Sequence, residues 1–503
     1  MKKREYRKTD LKVVEKRKKA EKNGNNIEKK RYAKKCLKIQ QTERLIMGRA
    51  IDFFNEYIFG VGVPLILIAA GIFFCIRLRF FHFLHPIKVI KALKPDGVKK
   101  GVSSFGAVSL ALAGTLGVGN MVGVASAIAL GGFGSIFWMW ISALVAMVLK
   151  YAEIVLAMRH RRFDEEGRPY GAAMYYISDA LGKKNLGRML GCIFAGLCIF
   201  NAVSMGGMIQ INSAASAVNG VFGIPPILVG IIFAVITVWT SMRGRDGILS
   251  VTEKLVPFMT LGFIVLSVAV IFIYPTNVLN AFSLIFKNAF SLKSGIGGVA
   301  GFLLSGSIRY GTMRGILSNE AGCGTAPAAH SVSNCRIPAK QGAWGIFEVF
   351  VDTILLCTLT ATVIITAFDV GVLNIDNNFM MMTVSSYTSL LGPVTGYFIA
   401  ISVLLFGLAT VLCWAHYGIV SVKYISSKPY AKYAFIAVYS LFVCLGSVIA
   451  ADFIWDAADI SIGAMTVINI AVLIKMNREI KLETELYFGT GKKKDKSLKN
   501  NKG

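Results

Sequence analysis

Long apolar stretches with almost no charged residues are the feature that most constrains this 503-residue chain. A helix needs about 20 predominantly apolar residues to cross the hydrocarbon core of a bilayer. A soluble domain of this length would carry about 25% charged residues, whereas here the fraction is 17%. The sequence therefore predicts an all-α polytopic membrane protein with about 11 transmembrane helices.

The predicted spans lie at residues 55–76, 104–130, 133–158, 189–217, 224–242, 252–274, 294–318, 343–368, 391–416, 431–450 and 454–476. The segment 77–100 is basic and amphipathic, which is typical of an interfacial helix. Basic loops alternate with loops that contain few or no Lys and Arg residues. Because basic loops stay in the cytoplasm, the basic tail at 477–503 is predicted to be cytoplasmic.

The N-terminal residues conflict with this orientation. Eleven spans that end inside place the N-terminus outside, yet residues 1–46 contain 18 Lys and Arg against 6 Asp and Glu. Our hypothesis is that 1–46 is a disordered or non-native basic extension and that translation begins at Met47. The alternative is that the first predicted span, residues 55–76, does not cross the membrane. An intact mass from the native host that included 1–46 would exclude the first hypothesis.

Several classes of function are disfavoured by what the sequence lacks. It contains no P-loop, HExxH or GxSxG motif, so neither an enzyme nor an ATP-driven pump is predicted. Most of the 9 cysteines fall in apolar segments, where cysteine packs as a small hydrophobe, so no metal site or organic cofactor is expected. The net charge of +27 is explained by basic loops and tails rather than by nucleic-acid binding.

The stretch "GTLGVGNMVGVASAI" at 114–128 interrupts an apolar span with four glycines and Asn120. Each glycine costs about 1 kcal/mol relative to alanine inside a helix. The helix could unwind here and expose backbone N–H and C=O groups that suit a carboxylate and a sodium ion. Alternatively, the glycines could simply let neighbouring helices approach closely.

A second glycine-rich segment at 294–327 favours the unwound interpretation. The two segments open groups of five spans, 101–274 and 275–476, whose odd number makes their orientations opposite. Two inverted five-helix repeats, each led by an interrupted helix, are typical of secondary transporters. The segment 47–100, with the first span and the interfacial helix, stands outside the repeat.

Four motifs then carry a family resemblance: "GTLGVGNMVGVASAIALGGFGSIFWMWISALVAMVLKYAE", "RGILSNEAGCGTAPAAHS", "FVDTILLCTLTA" and "WDAADISIGAMTVIN". They occur in order over about 50–480 and closely resemble the alanine or glycine:cation symporter family. Cys323, Thr325, Ile468 and the "YGAAMYYI" segment depart from the family pattern. The resemblance implies a leucine-transporter-type fold with the substrate between the first and sixth core helices.

The resemblance also implies a set of site residues. Backbone N–H groups would receive the substrate carboxylate at Gly117, Val118 and Gly119. A sodium ion would be bound by the carbonyl oxygens of Ala113 and Leu116 and by the side chain of Thr410. Asn120 would cap the unwound turn or contact a second ion.

Other polar residues within spans are weaker candidates. Gln210 resembles a substrate contact of the family, or else forms an interhelical hydrogen bond. Ser307, in the "SGS" of the second segment, is another candidate substrate contact. Trp414 lies one turn after Thr410 and so shares its face, as a pocket wall that keeps the substrate small or as plain packing.

Charged residues within or beside the spans suggest gating and coupling. Asn319 and Glu320, in "SNEAGCGTAP", would form an inner gate or helix cap. Asp352 is the candidate for proton coupling if the ion is H⁺, because membrane-embedded charges are functional or paired. Glu153 follows Lys150 by three residues, which favours a structural pair on one helix.

The sequence thus predicts sodium-coupled symport of alanine or glycine by a multi-pass protein of a bacterial or archaeal plasma membrane. Its partners would be a small amino acid, Na⁺ and the lipid bilayer, and a monomer would suffice. Proton coupling and passive transport through a facilitator or channel are the alternatives. A channel would need a filter sequence or rings of like charge, and neither occurs.

Overall fold

The computed structural model describes residues 61–94, 101–182, 184–290, 306–375, 378–449 and 452–489. The predicted extension at 1–46 lies outside these residues. The described chain is almost entirely helical. Its one strand pair is an antiparallel hairpin, β1 (Arg162–Phe163) and β2 (Pro169–Tyr170).

The helices, in chain order, are α1 Val63–Arg77, α2 Phe81–Leu84, α3 Pro86–Ala92, α4 Ser104–Thr115, α5 Val124–Gly131, α6 Ser135–Arg159, α7 Ala173–Ala180, α8 Lys184–Asn201, α9 Gln210–Phe222, α10 Pro226–Met242, α11 Gly244–Ile273, α12 Pro275–Ala289, α13 Gly306–Asn319, α14 Ala326–His330, α15 Pro338–Val349, α16 Thr358–Asp369, α17 Phe379–Leu391, α18 Pro393–Ile425, α19 Pro429–Gly446, α20 Asp452–Lys475 and α21 Asn477–Phe488. Wider π-helical stretches lie inside apolar spans at Gly119–Gly123, Ala202–Ile209 and Phe350–Cys357.

The described residues contain seven helical segments that are long and apolar enough to cross a membrane, or eight when the bent pair α4–α5 counts as one span. The helices α1 and α10 are also apolar but shorter. The prediction of a multi-pass helical membrane protein is confirmed. The count of eleven stays a prediction, since residues 294–305 of the span predicted at 294–318 lie outside the described residues.

Proline and side-chain caps fix where many helices begin. Six helices (α3, α10, α12, α15, α18 and α19) start with a proline. At the first helical position proline loses no hydrogen bond and its φ angle already suits the helix. At α4 the Ser103 hydroxyl accepts a hydrogen bond from the Gly106 N–H at 2.9 Å, which satisfies one unpaired N–H group of the first turn.

The segment predicted as an interfacial helix is helical in two short pieces, and the start of the segment predicted as a polar tail is also helical. The segment 77–100 contains two short helices, α2 and α3, which are separated at His85, and Arg79 and Phe80 adopt left-handed backbone angles between α1 and α2. The start of the C-terminal tail forms α21, whose Ile480 and Phe488 are buried. The Lys88 ammonium donates to the Phe488 carbonyl at 2.8 Å. This tail therefore begins as a docked amphipathic helix.

Within the glycine-rich segment 294–327, the described residues are interrupted after α13, and residues 294–305 lie outside the described part of the chain. Helix α13 runs unbroken through 306–319, and the chain turns afterwards, at residues 320–325. A Cβ atom on Gly311 would lie 2.1 Å from the Ser135 carbonyl oxygen, and one on Gly315 would lie 2.5 Å from the Ser142 hydroxyl. These two glycines, four residues apart, let α13 pack closely on α6.

Candidate functional site

The first interruption lies where the glycines predicted it. The helices α4 and α5 are bent by 52° around residues 116–118. Leu116 leaves the helical conformation at φ −75° and ψ 67°, and the Gly117 N–H bonds the Thr115 carbonyl at 2.8 Å. Buried backbone at this depth is tolerated only inside protein or beside a wet cavity. Leu116 and Val118 are each 1% exposed, so the break is enclosed by protein.

Thr410 reaches the carbonyl end of this break from α18. Its hydroxyl lies 2.8 Å from the Ala113 carbonyl oxygen and 3.0 Å from the Phe406 carbonyl oxygen. A hydroxyl has one proton for these two acceptors, and it keeps lone pairs that can bind a cation. Oxygen ligands suit a hard cation. The predicted pairing of Ala113 with Thr410 is thus present in the geometry, and Leu116 lies buried on the same break.

Gln210 reaches the N–H end of the break. Its side-chain oxygen accepts a hydrogen bond from the Val118 N–H at 3.1 Å, and its amide nitrogen donates to the Met205 carbonyl at 3.3 Å. A Cβ atom on Gly117 would lie 2.6 Å from the Thr410 hydroxyl and 2.7 Å from the Gln210 oxygen. Glycine at 117 therefore lets two side chains from different helices approach the same backbone.

A small cavity of about 10 Å³ adjoins the break, with room for about one water molecule. It is lined by Leu116, Gly117, Asn120, Met121, Phe263, Leu356 and Phe406. Trp414 is not among these residues. It packs against Gly206, where a Cβ atom would lie 2.0 Å from the indole Cγ. The structure favours plain packing for Trp414 and provides Phe263 and Phe406 as the aromatic walls.

Asn120 belongs to a buried polar cluster on the other side of the break. Its amide nitrogen donates to one Asp352 carboxylate oxygen at 2.8 Å and lies 3.2 Å from the Ser318 hydroxyl. The second Asp352 oxygen accepts from Ser318 at 2.8 Å and from Thr353 at 2.7 Å. Asp352 is fully buried, and the Asn120 side-chain oxygen has no hydrogen-bond partner among the described residues. A carboxylate, a side-chain amide and two hydroxyl groups thus form one buried hydrogen-bonded cluster.

Three further site candidates, Gly119, Asn319 and Ser307, differ in how close they lie to the C-terminal end of α13. Gly119 faces this end, because a Cβ atom there would lie 3.8 Å from Ser318 Cα. Asn319 donates to the Thr353 hydroxyl at 3.1 Å, which joins it to the same cluster. Ser307 is different: its hydroxyl donates to the Gly131 carbonyl at 2.6 Å. Eleven residues of helix place it about 16 Å from Ser318, so Ser307 does not reach the break.

The second break, which is the turn at 320–325 after α13, is held by the buried Glu153 carboxylate. Glu320, Gly322 and Gly324 all have positive φ angles. The Glu153 carboxylate accepts from the Gly324 N–H at 2.8 Å and from Asn469 at 2.5 Å. These contacts tie the turn at 320–325 to α6 and α20.

The pair expected between Lys150 and Glu153 is replaced by a longer-range one. The Lys150 ammonium lies 3.0 Å from the Glu348 carboxylate and donates to the Asn319 carbonyl at 2.7 Å. Glu348 also contacts His330 at 3.0 Å. The reason is geometric: Glu153 is already used to hold Gly324, while α15 places Glu348 against α6.

Replacing Lys150 with methionine is expected to destabilise the protein by about 3–5 kcal/mol, because it leaves the Glu348 charge buried without a cation. Both side chains are only 1% exposed. The measurement is thermal unfolding in detergent. The double variant K150M/E348Q should recover much of the lost stability. As a control, R168M breaks the ion pair of Arg168, 49% exposed, with Asp164 and should cost at most about 1 kcal/mol. Equal losses for K150M and R168M would refute the expectation.

Sequence reasoning missed several residues that the fold brings to the breaks: Ser318, Thr353, Glu348, Phe263 and Phe406. A local signal existed for Ser318, which directly precedes Asn319, and for Thr353, which directly follows Asp352. The others lie far along the chain from the glycine-rich segments, so spacing alone could not find them.

Apolar helices of membrane-spanning length around a buried, unwound polar break define the class of secondary transporters. The match of residues 44–502 to the sodium:alanine symporter family model identifies it further. The chain belongs to the sodium:alanine symporter family. The resemblance found in the sequence is confirmed, and the protein is a transporter rather than an enzyme.

Individual comparisons agree with this assignment. The chain is 33% identical to the sodium/alanine symporter AgcS of Methanococcus maripaludis, over 87% of this chain and 96% of that protein. It is 35% identical to the amino-acid carrier protein AlsT of Bacillus subtilis, over 84% and 87%. The structure matches the crystal structure of MhsT in complex with L-phenylalanine at a TM-score of 0.55 and 12% identity, over 77% of this chain and 93% of that one. The last likeness shows a shared fold.

Proposed function

We propose that this protein carries a small neutral amino acid, alanine or glycine, into the cell together with Na⁺. The observation that carries the proposal is the first break, where the Thr410 hydroxyl meets the Ala113 carbonyl at 2.8 Å. Beside it lie the Gly117–Gly119 N–H groups proposed for a carboxylate, of which that of Gly117 bonds the Thr115 carbonyl and that of Val118 bonds the Gln210 side chain. Phe263 and Phe406 crowd the adjoining cavity, which supports a substrate with a short side chain.

The proposal includes the arrangement expected from the sequence: eleven spans, with two inverted five-helix repeats at 101–274 and 275–476 and a cytoplasmic C-terminus. Symport of a zwitterion with one Na⁺ moves one positive charge inward. Each 100 mV of membrane potential then supplies about 2.3 kcal/mol, or roughly a 50-fold accumulation. The name of the relative AgcS, a sodium/alanine symporter, supports this choice of substrate and ion.

The test is uptake of labelled alanine into proteoliposomes, first with an inward Na⁺ gradient and then with choline in place of Na⁺. Accumulation above equilibrium with Na⁺ alone is the expected result. Identical equilibration in both conditions would contradict sodium coupling and leave the proton-coupled carrier or the passive facilitator. An imposed pH gradient in choline separates these two, because a facilitator does not respond to it. Parallel uptake of glycine establishes which substrate is preferred.

Replacing Thr410 with valine should raise the Na⁺ concentration for half-maximal uptake roughly 10- to 100-fold. Valine keeps the shape of threonine but removes an oxygen that faces a cation, and such contacts with charged groups contribute about 1.5–3 kcal/mol. Sodium-dependent uptake in proteoliposomes measures the shift. The control is T366V, which changes a buried threonine whose hydroxyl has no hydrogen-bond partner among the described residues. An unchanged sodium dependence in T410V would remove Thr410 from the proposed sodium site.

A further inference from the structure

A cavity of about 430 Å³ opens far from the break, between the β1–β2 hairpin, the start of α11, the end of α18 and the start of α19. Two carboxylates line it, those of Asp164 and Asp246. Six basic side chains also line it: Arg168, Arg243, Arg245, Lys423, Lys428 and Lys432. The lining therefore carries a clear excess of positive charge.

The excess comes from four of these cations. Arg168 is paired with Asp164 at 2.9 Å, and Arg245 contacts Asp246 at 3.3 Å. The other four form no salt bridge among the described residues, although Asp164 also interacts electrostatically with Lys423. These four are Arg243, Lys423, Lys428 and Lys432. A neighbouring cavity shares Arg168 and Arg245 but is also lined by Glu166, Asp246 and Glu253. The positive character is thus specific to the cavity beside α18 and α19.

Aromatic rings accompany the unpaired cations. The Arg243 guanidinium lies 3.9 Å from the centre of the Trp239 ring, and the Lys423 ammonium lies 4.1 Å from that of Tyr170. Trp239 is 54% exposed, and Tyr430 and Tyr433, at the start of α19, are 65% and 53% exposed. Exposed Trp and Tyr side chains at helix ends are typical of the headgroup level of a bilayer.

We propose that this cavity binds a phosphate group, supplied by an anionic phospholipid of the leaflet that the loop charges predict to be cytoplasmic. Basic pockets between transmembrane helices on this side bind lipid headgroups, and the volume admits such a headgroup. The phosphate oxygens accept hydrogen bonds from the ammonium and guanidinium groups, while the aromatic rim faces the lipid. Free inorganic phosphate shares this chemistry and is the second source to be tested.

The experiment compares the full chain with the variant K423Q/K428Q/K432Q. The matched control is K91Q/K254Q/K475Q, which removes three exposed lysines that do not line the cavity. Each protein is purified in mild detergent and titrated with phosphatidylglycerol, and native mass spectrometry counts the bound lipid. One basic residue near an anionic lipid changes affinity about fivefold. The cavity variant should therefore bind roughly 100-fold more weakly, while the control binds like the parent.

A second arm separates the two sources of phosphate. Inorganic phosphate is titrated into delipidated protein, and the melting temperature is recorded. A rise in the parent and the control, absent in the cavity variant, would support a phosphate site that needs no acyl chain. Lipid retention without such a rise would support a lipid headgroup site. No difference between the cavity variant and the control in either arm would overturn the proposal. If the triple variant does not fold, R243Q provides the same comparison with an expected fivefold effect.

Discussion

Replacing Gly117 with alanine is expected to reduce amino-acid uptake about 100-fold while the protein stays folded. The added methyl group would lie 2.6 Å from the Thr410 hydroxyl and 2.7 Å from the Gln210 oxygen, so both side chains must move. Displacing a positioning group by about 1 Å can cost about 100-fold in rate. The cost in stability should be modest, about 1–3 kcal/mol, because the groups that give way are side-chain ends.

The control for this experiment is G123A, on the same helix. Gly123 has ordinary helical angles, and no atom lies within 4 Å of the position that its Cβ would occupy. Uptake of labelled alanine into proteoliposomes and thermal unfolding in detergent are measured for both variants. Gly123→Ala should resemble the parent in both measurements. Parent-like uptake by G117A would show that the contacts of Gly117 with Thr410 and Gln210 do not matter for transport.

Glycine has two structural roles in this chain, at a helix break and at a close contact between helices. Composition alone could not separate these roles. At 114–120 the glycines coincide with a real break, where Gln210 from another segment accepts a hydrogen bond from the Val118 N–H. At 311 and 315 the same residue type supports a continuous helix that packs against α6. The difference lies in what faces each glycine, which depends on another segment of the chain.

The membrane-spanning segments were easier to predict because bilayer thickness fixes their length. The predicted span 133–158 corresponds closely to α6, Ser135–Arg159. The partners of buried charges were not predictable in this way. Lys150 meets Glu348, almost 200 residues away along the chain. Such pairs arise from the packing of distant helices, so they cannot be predicted from the spacing of residues within one segment.

The site was predicted best where the family resemblance supplied residues and worst where it did not. Ala113, Thr410 and Gln210 came from the resemblance and meet at one break. Ser307 came from the glycine-rich segment and lies elsewhere, because the described residues 306–319 form the continuous helix α13. Asp352 was singled out for its charge at membrane depth, and the structure adds its neighbours.

Replacing Asp352 with asparagine should raise the Na⁺ concentration for half-maximal uptake at least tenfold and leave its dependence on external pH unchanged. The buried carboxylate accepts hydrogen bonds from Asn120, Ser318 and Thr353, beside the unpaired Asn120 oxygen. A buried negative charge favours a nearby cation. The side-chain amide of asparagine at this position would carry no charge. It would also bring an N–H donor next to Asn120, Ser318 and Thr353, which all donate to the carboxylate.

The matched control is D369N, because Asp369 also accepts from two side-chain amides, at 2.8 Å from Asn277 and 3.1 Å from Asn280. It lies at the end of α16, away from both breaks, and its replacement should leave sodium dependence unchanged. Uptake is measured at several Na⁺ concentrations and pH values in matched proteoliposomes. If D352N instead lost its pH dependence at unchanged Na⁺ affinity, Asp352 would carry a coupling proton. That outcome would favour the proton-coupled alternative, since the same buried carboxylate would then exchange H⁺ rather than stabilise Na⁺.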